Sequence, residues 1–405
     1  MVDAAKISAS TVMPEPTLSR SGADRISVTV TPADEAAFAS YESLCRDAVH
    51  GPAQHPVWIR AWVQATGADA VIATLHDSER PVCAIALEVV QQGPFRLARF
   101  VGGSHANGNV VPAQRGREPI TEAQARILTK AIHDARPDID ALVLERQNPS
   151  QDGTLNPLTN LATLGSPNVS LAVDLAGGLD AMLERRNGKR KRKKLRLQKN
   201  KFEDEGGYTL VEAKTTAEVD RLIDAFFAMK AARFASKGIP NVFGTAEVQA
   251  FFRNLFRDAL AHEPAPFVLH GVEVSGEIRA VNGVSVTSDS YVCEFGGIRD
   301  DIGGSPGFFL DFTTIQQACE LGMLRYDFSV GDEDYKRSWC DLETWQFDTV
   351  LPLSAKGRVL CSYRLARSHA VRAVKSNEAL WAFVKLLRMK VAGSGGAPSK
   401  PSGSD

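Results

Sequence analysis

The chain has 405 residues, 44% hydrophobic and 23% charged, with 32 glycines; this is too long for a single core, which stops growing near ~250 residues, and too apolar for bulk disorder. The formal net charge of −1 hides an asymmetry: Arg185 to Lys201 holds 11 Lys/Arg and no acid, leaving 36 basic against 48 acidic residues elsewhere. A local basic stripe on an acidic body points to one anionic contact and away from general nucleic-acid binding.

No run approaches the ~18 uninterrupted apolar residues of a membrane helix, and the N-terminal segment lacks the basic start and apolar run of a secretory signal. The expected address is therefore the cytoplasm. Six cysteines and eight histidines occur without CxxC pairs or ligand spacing, so neither a disulfide frame nor a bound metal is expected.

Residues 1–25, with Pro14, Pro16 and several serines, read as a disordered N-terminal segment. A first core, 26–168, opens with the strand ISVTV and a helical stretch holding Trp58 and Trp62. It continues through the strand-like AVIATLHD and VCAIALEVV, then FRLARF, the helical TEAQARILTKAIHDA and the strand ALVLERQ.

A second core, 169–352, starts at VSLAVDL and runs through the basic helix and the strand GYTLVEA. Two helices (AEVDRLIDAFFAMKAARFAS, AEVQAFFRNLFRDALA), three strands, the helix FFLDFTTIQQACELG and the strand RYDFSV follow. Residues 353–391 read as a strand and helix closing the fold, and 392–405 as a flexible tail. The fold class is α/β with mixed sheets. The halves share a strand order but no repeat at the level of letters.

The turn GGSPGFF, 303–309, follows a strand. Ser305 suits an N-cap, Pro306 the first helical position, and Gly307 removes a side chain where a ligand can approach. The NH groups of Gly307 and Phe308, with the helix dipole, then attract phosphate; a capped helix with nothing bound fits the same letters. In RYDFSV, Asp327 shares a face with Arg325 and Ser329, and in DSYVCEFGG strict alternation sets Val292 and Glu294 opposite Tyr291, Cys293 and Phe295. A carboxylate inside a sheet is costly unless paired or functional. Ion pairing for Asp327 and an exposed face for Glu294 are the plain alternatives.

The stretch DFSVGDEDYKRSW, Asp327 to Trp339, gathers four carboxylates, a tyrosine and two cations within eleven residues. With SPG, an Ala-Cys-x-x-Gly helix end and Asp327, Phe328, Gly331, Asp332, Glu333, Tyr335 and Lys336 at fixed spacing, it resembles the CelD-like branch of the GNAT acyltransferase superfamily, related to the FemAB-like aminoacyl ligases. HPVWIRAW, the loop GGSHANGN and KNKFEDEGGY extend the resemblance over 26–390.

The resemblance implies two GNAT-like lobes in tandem and a GNAT-type N-acyltransferase. The enzyme would move an acyl group, expected to be acetyl, from a CoA thioester to an amine or hydroxyl in polysaccharide or cell-envelope metabolism. Gly303, Gly304, Ser305, Gly307 and Phe308 would bind acetyl-CoA or another acyl-CoA, by position, because the usual phosphate-loop pattern does not fit Arg299 followed by DDIGG. Glu294 or Asp327 would act as base, Tyr335 would protonate the leaving thiolate, and Asp332, Glu333 and Lys336 would bind a small-molecule or glycan-precursor acceptor, the two acids either holding it or organising Lys336.

The basic helix has three readings: a solvated face, a contact to nucleic acid or an anionic membrane, or an anchor for an anionic substrate or the CoA phosphates. The rival function is a non-catalytic binding protein that uses this helix, 185–201, to hold an anionic polymer or nucleic acid.

Overall fold

The computed structural model describes residues 26–299 and 304–376. The expected N-terminal segment, Gly303 of the glycine turn and the expected tail lie outside the described residues.

In the N-terminal half, β1 (Ile26–Pro32) is followed by α1 (Glu35–Asp47), β2 (Ala48–Val49) and α2 (Pro56–Thr66). The Asp34 carboxylate caps α1 by accepting from the Ala37 NH, and Gly67, with φ of 62°, ends α2. An antiparallel run follows: β3 (Ala70–Asp77), β4 (Arg80–Gln92) and β5 (Phe95–Phe100). After β6 (Ala113–Gln114), α3 (Glu122–Ala135) carries the chain to β7 (Ala141–Gln147), parallel to β5.

A small hairpin, β8 (Ser150–Gln151) with β9 (Thr154–Leu155), leads to β10 (Leu164–Asp174), α4 (Gly178–Arg185) and the basic α5 (Gly188–Asp204). The first half's order then returns. β11 (Tyr208–Glu212) precedes α6 (Thr216–Lys237) and α7 (Ala246–Ala259), and the antiparallel β12 (Phe267–Val274), β13 (Glu277–Val286) and β14 (Ser290–Ile298) follow. Next, α8 (Pro306–Glu320) leads to β15 (Arg325–Val330), parallel to β14. The chain closes with α9 (Asp334–Arg337), β16 (Leu342–Pro352) and α10 (Ala355–Ser376). Among the described residues the closing strand thus lies before residue 353, where it was expected to follow, and a helix comes after it; 377–391 lie outside the described residues.

The duplication that the letters hide is visible as shape: strand, two helices, three antiparallel strands, helix, parallel strand, twice over. All of these strands join one 14-stranded sheet whose main order is β1-β3-β4-β5-β7-β16-β10-β15-β14-β13-β12-β11. β10 and β16 bridge the half-sheets, with β16 antiparallel to both β7 and β10.

The halves also share a core. Trp58 and Trp62 of α2 each meet Phe251 of α7 edge-on at 4.9 Å, and Trp58 is fully buried. Phe226, Phe252 and Phe256 continue this cluster onto Phe295 of β14. The aromatic face of α7 thus anchors to both lobes at once, which fixes the N-terminal loops over the second half-sheet.

Candidate active site

The parallel pairing of β14 with β15 is brief. Cα partners run only from Ser290–Arg325 to Val292–Asp327, and beyond them the edge of β14 facing β15 forms no ladder with it. Two local devices sit at this parting. On β14, the register with β13 passes from Val284–Cys293 to Gly283–Phe295, leaving Glu294 as the extra residue of a bulge. On β15, Ser329 has φ of 62°, and its hydroxyl donates to the Cys293 carbonyl at 2.6 Å across the gap.

The bulge corrects strict alternation. Phe295 turns away from Tyr291 and onto α6 and α7, while Glu294 keeps the face of Val292. There Glu294 and Asp327 line a cavity of about 70 Å³ whose opposite wall comes from the N-terminal lobe, including Asn107, Asn148 and Gln151.

Glu294 accepts from Ser285 Oγ at 2.7 Å and from Asn107 Nδ2 at 3.0 Å, and Asn107 Nδ2 also reaches the Glu294 carbonyl at 2.7 Å. Burial raises its carboxyl to about 7, the two hydrogen bonds opposing the rise and the nearby Asp327 adding to it. Asp327 accepts from Ser170 Oγ at 2.9 Å and the Ser329 NH at 2.7 Å. Its carboxyl too is raised by burial, against those two bonds and the Lys336 and Arg325 charges. Two carboxyls with raised affinity for protons therefore face one polar cavity between the lobes.

Asn107 had no place among the expected site residues. Its signal was the loop GGSHANGN, where Gly108 stands so close to Asn148 that an added Cβ would lie 2.6 Å from its amide. Gln346 of β16 pins this arrangement, its amide donating to the Asn107 carbonyl at 2.8 Å and to Asn148 Oδ1 at 2.9 Å.

The rest of DFSVGDEDYKRSW lies past the end of β15. Tyr335 on α9 is 53% exposed, with its ring edge-on to Phe328 at 6.0 Å, on the sheet face that carries α8. Its phenol stays protonated, pushed up by the apolar surface beneath it and by neighbouring acidic groups. Lys336 departs from expectation. It is buried, and its ammonium is spent on the Val330 carbonyl at 2.8 Å, the Ser329 carbonyl at 3.4 Å and Glu333 at 3.1 Å. That geometry makes Lys336 a clamp on the strand end, with Glu333, its side chain 56% exposed, organising the ammonium. Asp332 is likewise engaged, 2.5 Å from Arg337.

At the start of α8, two expectations are corrected. Ser305 makes no side-chain cap bond among the described residues; instead its NH donates to Gln198 Oε1 of α5 at 2.6 Å. Gly307 is small for packing, since an added Cβ would lie 2.8 Å from Ile298. Gly304, with φ of 113°, sits against the Gln198 amide. Phe308 stacks on Trp339 at 5.2 Å, under the Lys194 ammonium at 4.4 Å.

The basic helix is therefore no freely solvated face. Lys191 is buried, donates to the Arg186 carbonyl at 2.6 Å and the Ser338 carbonyl at 2.7 Å, and lies 4.7 Å over Trp339. Its neighbours Lys189, Arg190 and Lys193 stay exposed. The helix thus sets cations beside the first turn of α8, whose leading NH groups have no intrahelical carbonyl.

Residues 189–337, which hold the parted strands and α8, match the family model described as an acetyltransferase (GNAT) domain. This stretch is a GNAT-type acyltransferase domain. Domains of this family use an acyl-CoA co-substrate. Among solved structures, the chain is similar to one titled FemX, at 12% identity over 80% of this chain and 97% of that one, with a TM-score of 0.54. It is also similar to a conserved protein of unknown function from Bacteroides thetaiotaomicron, at 11% identity over 78% and 97% of the two chains, with a TM-score of 0.50. A tandem GNAT protein from the clavulanic acid biosynthesis pathway aligns over 81% and 99% at 13% identity, with a TM-score of 0.44. No curated protein matches the chain. Among the described residues, no helix is long and apolar enough to cross a membrane.

Proposed function

We propose that the chain transfers an acyl group, acetyl in the simplest case, from a CoA thioester to an amine held in the cavity between the lobes. The observation that carries this reading is Glu294: it faces that cavity on the side of Val292, Asn107 of the other lobe holds it, and its carboxyl titrates near neutrality. A general base works best when its pKa lies near the operating pH.

The acyl-CoA supplies the activated acyl group. Glu294 takes the proton from the attacking amine, and Asp327 holds the acceptor's remaining donors. Tyr335, on the other face of the parted strands, gives its proton to the departing thiolate. Base and acid then act from opposite sides of the reacting carbon, and NH groups on the open edge of β14, near Cys293 to Gly296, face the thioester oxygen as charge develops. The first-turn NH groups of Gly307 and Phe308, with the α5 cations beside them, would hold a phosphate-bearing donor. The lobe division at 168, the CelD-like kinship and a glycan-precursor acceptor belong to the same proposal, as does a cytoplasmic location, where CoA thioesters are made.

The test measures thiol release from acetyl-CoA over a panel of amino sugars and small amines, with acyl-CoA affinity measured in parallel. Glu294→Gln and Tyr335→Phe should each lower turnover by about 10² or more while acyl-CoA affinity stays within about twofold. Normal turnover in both variants removes these residues from the reaction.

A further inference from the structure

On the α8 face of the sheet, a second cleft of about 390 Å³ runs between β11, β12 and α8. Its apolar wall is Leu210, Val211 and Leu310, and its polar wall is Glu212, His270 and Gln317. It is separate from the acyl-transfer cavity: Tyr326, which meets Thr314 of α8 at 3.1 Å, and Asp327 point to opposite faces of β15.

His270 is the unexplained group. It is 5% exposed, yet neither ring nitrogen makes a hydrogen bond to the described residues, and the nearest charge, Glu212, lies 3.8 Å from Nε2. Its register partner Asn282, also buried, leaves Oδ1 without a partner. Asn282 lies outside the lining of the cleft, so among the described residues the His270 ring is the unpaired buried group in its wall.

The capacity left over is mostly for accepting. The Thr313 hydroxyl donates to the Phe309 and Leu310 carbonyls, and the Thr314 hydroxyl is within reach of the Leu310 carbonyl. The Gln317 amide donates to Glu212 at 2.6 Å, leaving its own oxygen and the second lone pairs of that carboxylate facing the cleft. Burial keeps the His270 ring neutral, at about 4, so it adds an acceptor and no charge. Glu212 and Glu320 make the lining acidic, with Lys214 already engaged by Glu212. An acceptor-rich, acidic cleft with an aliphatic wall suits a cation that carries several N–H donors on a short alkyl chain.

We propose that this cleft is a second ligand site, distinct from the acyl-transfer cavity, that takes a short alkylammonium ion. The test titrates 1,4-diaminobutane into the full-length protein without acyl-CoA, by calorimetry and by melting temperature. Wild type should bind saturably, with a melting temperature that rises with ligand. Glu212→Gln should weaken binding at least tenfold. Thr313→Leu, which fills the cleft from the half-buried α8 wall without touching His270, should do the same, while Glu294→Gln binds as wild type. No saturable binding, or binding lost in Glu294→Gln and kept in Glu212→Gln, overturns the proposal: water alone then fills the cleft, or the amine sits in the other cavity.

Discussion

Glu294 faces the cavity beside a second acid, on the face of β14 that it shares with Val292, and that environment makes a pH prediction with a definite sign. A carboxyl raised to about 7 in the folded protein binds a proton that the unfolded chain has released above about pH 4.5. The stability it contributes is therefore complete below the unfolded value and is lost as pH rises through about 7. Glu294→Gln has no such proton to lose. Between pH 4 and pH 8 it should gain on the order of 1–3 kcal/mol relative to wild type, read from urea unfolding at both values. If Glu294 is the base, wild-type kcat/KM should also rise with pH through an apparent pKa near 7, and this limb should vanish in the variant. A second residue-scale prediction separates neighbours in the basic stripe. Lys191→Met should cost about 2–4 kcal/mol, because it strips donors from two carbonyls beside Trp339, whereas Lys193→Met should stay within about 0.5 kcal/mol in chemical denaturation.

At the scale of elements, alternation and helical periodicity were enough to read most strands and helices from the letters. RYDFSV is a strand with Asp327 and Ser329 on one face, and GGSPGFF does open a helix, because β propensity and Pro at the first helical position act locally. What stayed hidden depends on partners distant in sequence. Nothing in VCEFGG marks Glu294 as a bulge, since a bulge is a count of residues against a neighbouring strand. The buried side of α5 was legible in principle. Lys191, Leu195, Gln198 and Phe202 recur at helical spacing, but a run dominated by charge conceals a stripe that begins with a lysine. The Gly307 side chain position was read as room for a ligand, yet Ile298 fills it. Gly307→Val should therefore lower the melting temperature as well as donor affinity. A variant that loses affinity at unchanged stability would restore the ligand reading of that glycine.

For the whole molecule, the aromatic seam between α2 and α7 ties the lobes into one cooperative unit. Trp58→Ala should cost about 3–5 kcal/mol, and both half-sheets should melt in one transition, followed by far-ultraviolet and tryptophan signals together. Two separated transitions would mean that the lobes fold independently. The strand β16 binds them further, and it imposes an order in time. Gln147 at the edge of the first half-sheet takes its partner Thr349 from a position 202 residues later in the chain. At ~5–20 residues per second, the ribosome needs roughly 10–40 s to deliver that partner. Throughout that interval β7 offers an unpaired, strongly apolar edge, the kind of surface that recruits foreign strands. Stalling synthesis just before residue 342 should leave a nascent chain that clings to chaperones, and release past residue 352 should free it.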